Sequence, residues 1–167
     1  MKKLWLIFII AAVMMTACQQ TPKPVAVDLE AEKAAVNATV ENMMTALTSK
    51  NVEAVAPFYA EDALILGTDP SEFWNKAQIM ELWKEMLSGT DITPEFTFIR
   101  DREIIVAADG TSAIAVEQYI FRMYTPNIPW RNVYYLVKTA DGWKIRFASS
   151  SLIPKNEDLQ KLTSALE

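Results

Sequence analysis

The stretch from Arg131 to Ser151, RNVYYLVKTADGWKIRFASSS, constrains the fold of this chain more than any other. Two runs of β-branched and aromatic residues flank Ala140-Asp141-Gly142, where glycine supplies the positive φ of a type I turn with a bulge. Ala108-Asp109-Gly110 repeats the device upstream. After Thr93-Pro94 the apolar period is two, which predicts four strands over 95–107, 111–125, 130–139 and 143–153. If Thr139 pairs with Trp143, then Arg131, Val133, Tyr135 and Val137 share the inner face with Trp143, Ile145, Phe147, Ser149 and Ser151. Trp130, Asn132, Tyr134 and Leu136 then fall on the outer face, with enough aromatic surface to meet a partner.

Helices precede this sheet. Asp28 caps a helix whose Val36, Val40, Met43, Met44 and Leu47 form one apolar stripe ending near Lys50. The methionines read as core filler. Asn51 caps a shorter helix reaching about Tyr59. Ala63 to Leu66 is a short buried strand, and Gly67 to Ser71 a loop of turn residues. Asn75 and Gln78 form a capping box for a helix that places Ile79, Leu82, Trp83, Met86 and Leu87 on one face and stops at Ser88-Gly89. The tail from Asn156 carries Leu159, Leu162 and Leu166 at helical spacing, which predicts a short packed helix.

The inventory removes several chemistries. No histidine is present and Cys18 is the single cysteine, so Ser-His-Asp and Cys-His nucleophiles and His/Cys zinc sites are excluded. No metal or other cofactor is expected. A formal charge of −5 without any run of Lys and Arg argues against nucleic acid as a partner. Ser149-Ser150-Ser151 has neither a nucleophile elbow nor a base beside it. Glu117, Gln118, Arg122 and Arg102 read as groups on a solvated sheet face.

At the other end, Lys2 and Lys3 precede an apolar run from Leu4 to Val13. The run is shorter than the roughly 20 residues a membrane-spanning helix needs and suits the core of a signal peptide. Met15-Thr16-Ala17-Cys18 resembles a bacterial lipobox, which implies cleavage before Cys18 and a lipid on its sulfur. Gln19, rather than Asp, follows the cysteine, and by the same resemblance this disfavours retention in the inner membrane. The expected organisation is a leader over 1–17, a lipidated cysteine and extended tether over 18–27, one domain over 28–154 and a tail over 155–167. The domain would then hang from a bacterial membrane, the outer membrane being expected, in the periplasm or at the cell surface.

Helix, short helix, strand, helix and then an antiparallel meander is the element order of the nuclear-transport-factor-2-like fold. Tyr59-Ala60-Glu61-Asp62-Ala63, the stretch from Leu66 to Trp74 and Asp141-Gly142-Trp143-Lys144-Ile145 with Ser149 and Ser151 beyond resemble its SnoaL-like branch over about 28–154. The resemblance implies an α+β fold, a cone-shaped curved antiparallel sheet packed on three N-terminal helices, also described as a cystatin-like roll. It also implies that chemistry, where present, sits inside the cone. In the ketosteroid isomerase branch a tyrosine donor corresponds to Met43 here and a general-base aspartate to Gly67, so both groups are missing. An assisting protonated aspartate falls near Tyr135. Histidines carried by many SnoaL-like proteins correspond to Phe147 and Ser149.

Asp62 and Glu72 are the carboxylates that the resemblance brings nearest the cone, as bases or as local capping groups. Tyr59, Trp74, Tyr135 and Phe147 are expected to build an aromatic wall, with Arg131 and Ser149 as polar contacts. These residues predict a lipoprotein that binds a small, largely apolar molecule without catalysis. Two alternatives stand beside it. One is an isomerase-, cyclase- or lyase-type enzyme with Asp62 or Glu72 as base and Tyr135 as donor. The other is an interaction module forming a homodimer through the outer sheet face around Trp130 and Tyr134.

Overall fold

The computed structural model describes residues 26–88 and 93–165. Cys18, the leader, most of the tether and Leu166 lie outside the described residues. Helix α1 (Leu29–Thr48) starts where Asp28 accepts a hydrogen bond from the Ala31 amide at 3.1 Å, a cap that contributes about 1 kcal/mol. It buries Val36, Val40, Met43, Met44 and Leu47, the stripe read from the sequence. The short helix α2 (Val52–Val55), capped by Asn51, runs through one 3₁₀ turn into β1 (Tyr59–Leu66). After β2 (Phe73–Asn75), both halves of the Asn75–Gln78 capping box form and open α3 (Lys76–Leu87).

The remaining strands are β3 (Phe96–Phe98), β4 (Glu103–Val106), β5 (Ser112–Phe121), β6 (Trp130–Thr139) and β7 (Gly142–Leu152). A bend at Ile99-Arg100 splits the single strand expected over 95–107 into β3 and β4, and both pair with β5. The seven-stranded sheet runs β2-β1-β7-β6-β5-β3. It is antiparallel, as the expected curved sheet requires, except where the short first strand β1 runs parallel to β7. The short helix α4 (Leu159–Ser164) forms in the tail, but Leu159 and Leu162 are exposed, so it is not the packed helix expected there.

The hairpin at the centre of the sheet departs from the predicted register twice. Thr139 pairs with Gly142, not Trp143, because its hydroxyl accepts from the Asp141 amide and donates to the Gly142 carbonyl, closing a two-residue loop. The one-residue slip turns every β6 side chain over. A bulge at Arg146 then places Tyr135 opposite Phe147 although Leu136 faces Ile145, which turns over the second half of β7. Trp143 and Ile145 are in the core as expected, joined by Tyr134, Leu136 and Ala148. Arg131, Tyr135, Phe147 and Ser149 point to the opposite face. Both loop glycines keep the expected positive φ, +67° at Gly110 and +98° at Gly142.

Candidate functional site

Helices α1 and α3 lie across the concave face of the sheet and leave a cavity of about 150 Å³ between them. Short side chains create the room, since the Arg146 bulge turns Ala148 and Ser150 inward where larger residues would fill the space. Met43, Met44 and Leu47 of α1 and Ile79, Leu82 and Met86 of α3 form the apolar walls. Trp74 and Trp83 close one side. Towards β3, Phe121 stacks on Phe96 with ring centroids 4.7 Å apart and on Tyr124 at 5.6 Å, and it meets the Trp130 ring nearly edge-on. Trp130 is held in place by donating from Nε1 to the Thr125 hydroxyl at 2.6 Å.

A polar network sits at the inner end. Glu117 on β5 is fully buried, and its Oε2 accepts from Arg102 Nε at 3.0 Å and Nη2 at 2.9 Å. Arg102 Nη1 reaches the Asn37 side-chain oxygen at 2.6 Å, tying α1 to the sheet. Tyr134 donates its hydroxyl proton to Glu117 Oε1 at 2.8 Å and accepts from Asn132 Nδ2 at 2.8 Å. With an arginine beside it, Glu117 is acceptor-only, so the Tyr134 proton is committed and the direction of the Asn132 amide follows. Asn132 Oδ1 is left sealed from solvent with no donor, a group whose desolvation no protein partner offsets. Burial, and then the Glu117 charge, push the phenols of Tyr59, Tyr119 and Tyr134 well above their ordinary value.

At the mouth the polar residue is Glu72. Its Oε2 accepts from the Asp69 amide at 2.9 Å and lies over Gly67. A Cβ on Gly67 would sit 2.0 Å from that oxygen and 2.7 Å from Trp74 Cη2. A side chain at residue 67 would therefore displace the Glu72 carboxylate and the Trp74 ring from these positions. The space the glycine leaves holds a carboxylate and an indole edge side by side.

Of the residues singled out in the sequence, Tyr59, Trp74 and Glu72 line the cavity. The others do not. Asp62 is an exposed edge residue paired with Arg146 at 2.6 Å. Tyr135, 38% exposed, lies on the convex face. Phe147 and Ser149 share that face. Arg131 there lies opposite Gln118, whose amide oxygen accepts from the guanidinium at 2.9 Å in the orientation that satisfies both groups. Trp130 and Tyr134, expected on an outer dimer face, line the cavity instead. Glu117 and Arg102, read as solvated, form the buried pair. Both faces of β5 are apolar, so alternation there could not show Glu117 as inward, and Asn132 and Tyr134 were misplaced by the hairpin slip. The charge of Arg146 between Ile145 and Phe147 was the available sign of a bulge.

A curved sheet wrapped on helices around a cavity is the architecture of a nuclear-transport-factor-2-like protein, and solved structures agree. One is a cystatin-like-fold domain of unknown function from Nostoc punctiforme, 15% identical with a TM-score of 0.64, covering 80% of this chain and 85% of that one. Another is a nuclear-transport-factor-2-like superfamily protein from Salmonella enterica, 14% identical with a TM-score of 0.62, covering 77% and 95%. A ketosteroid isomerase-like protein from Erwinia carotovora is 18% identical with a TM-score of 0.54, covering 74% and 98%. These likenesses establish the fold. Residues 36–155 match the family model of the SnoaL-like domain, and the chain belongs to that family. No curated protein matches the sequence.

Proposed function

We propose that this chain is a membrane-anchored bacterial lipoprotein whose SnoaL-like domain binds a small, largely apolar molecule in the cone without catalysis. The observation that carries the binding reading is the cavity itself, lined by aromatic and methionine side chains with a few polar groups at its two ends. Its size is close to the roughly 150 Å³ of an engineered apolar cavity that takes up benzene, so a single ring or branched alkyl group fits. The polar groups support binding over turnover. Glu117, the buried carboxylate, is neutralised by Arg102, and the proton of Tyr134 is already given to it. Anchorage rests on the lipobox-like Met15-Thr16-Ala17-Cys18, and the outer membrane on Gln19 after it.

The binding reading is tested by tryptophan fluorescence, because Trp74, Trp83 and Trp130 line the cavity. Saturable quenching or enhancement by benzyl alcohol is expected in the protein and is lost in Ala148→Phe, which fills the cavity. A response that is linear, or that Ala148→Phe leaves intact, contradicts the binding reading.

A second reading, self-association, has its own observation. Ile105, Ile114, Tyr135, Phe147 and Leu64 lie in register across the convex face of five strands, an apolar row of the kind that isologous dimers cover. Light scattering of the protein against Tyr135→Lys distinguishes a dimer broken by the charge from a monomer in both.

A further inference from the structure

The charge of the cavity narrows its ligand, an inference that rests on the binding reading above. Nine of its 23 lining residues are aromatic, and Glu72 is the charged one among them. Among the described residues no lysine or arginine lines the cavity, and none pairs with Glu72. The Glu72 carboxylate is fixed by the Asp69 amide against the edge of Trp74. Arg102, which is not in the lining, is bound by Glu117 and Asn37. Glu72 is thus the charge the lining presents, and it favours a cation.

The geometry points to an organic cation as the ligand, a protonated amine or quaternary ammonium on a small apolar body. Its ammonium pairs with Glu72, and its apolar body lies against the methionines and the Phe96–Phe121 wall. A carboxylate or phosphate ligand would meet Glu72 with no cation to answer it, and a neutral ring would leave the Glu72 charge unpaired.

The test is calorimetric titration of the full protein near neutral pH with three probes of one size, benzylammonium, benzyl alcohol and benzoate. A close carboxylate at a partly exposed site supplies up to roughly a five-fold preference. Benzylammonium is therefore expected to bind roughly five-fold more tightly than benzyl alcohol, with benzoate weakest. Glu72→Gln keeps an acceptor for the Asp69 amide, so the loop folds. It should abolish the preference for the cation, so that benzylammonium binds no more tightly than benzyl alcohol to the same variant. Equal or tighter binding of benzyl alcohol or benzoate overturns the cation assignment and leaves the binding reading standing, as does a cation preference that survives Glu72→Gln. If none of the three probes binds, the binding reading fails and this inference with it.

Discussion

Removing the carboxylate of Glu117 should be the most damaging single change among the polar groups. Its side chain is 0% exposed and that of Arg102 13%. Glu117→Ala deletes both hydrogen bonds to the guanidinium and the one from Tyr134, and leaves a cation in a nearly closed site. Breaking a buried pair in this way costs about 3–5 kcal/mol. Arg102 keeps its bond to the Asn37 oxygen, which places the expectation at the lower end, about 3 kcal/mol. The control is Glu61→Ala, whose ion pair with Lys76 has a glutamate 92% exposed and should contribute at most about 1 kcal/mol. Urea unfolding followed by tryptophan fluorescence reads both. At this chain length about 3 kcal/mol also corresponds to a fall of roughly 6–12 °C in Tm. Replacing both partners, as in Arg102→Met with Glu117→Leu, should recover a large part of the loss, since the uncompensated charge goes with it. A Glu117→Ala variant no less stable than Glu61→Ala would refute the view that this pair joins α1 to the sheet.

Other consequences are more local. Gly67→Ala should displace the Glu72 carboxylate and the Trp74 edge, because its methyl group would overlap both; weakened probe binding together with altered tryptophan emission checks this. Asn75→Ala removes the side-chain half of the α3 capping box at 3.0 Å and should cost about 1 kcal/mol in urea unfolding. The phenols of Tyr59, Tyr119 and Tyr134 are raised by burial first. Unfolded tyrosines ionise near about pH 10, so these three stabilise the fold below that pH, and the contribution is lost as pH rises towards their folded values. Phenolate absorbance of the folded protein at about pH 10–11 should accordingly be the same in Tyr134→Phe. Cys18→Ala should release the protein from membranes, read by fractionation, and continued retention would contradict the anchor.

Much of the fold was legible because local chemistry acted alone. Asp28, Asn51 and Asn75 cap their helices through bonds within three residues, and the α1 stripe is buried as its spacing requires. Gly110 and Gly142 mark their turns for the same reason. The site was less legible because it depends on the face each strand presents. A hydroxyl bond at Thr139 shortened one loop by a residue, and the Arg146 bulge reversed the second half of β7. Together they exchanged Tyr135 for Tyr134 and Phe147 for Ala148 as inward residues. The family resemblance pointed to the interior of the cone but not to which side chains reach it. Glu72 and Trp74 were found from sequence because the loop 67–72 positions them independently of the hairpin register.

Native mass spectrometry of the purified full chain tests the account most directly. The prediction is a population carrying a small noncovalent adduct that disappears in Ala148→Phe, with that variant otherwise folded. Each protein appearing only at its own chain mass, with no adduct even when benzylammonium or benzyl alcohol is added, would contradict a ligand-binding cone.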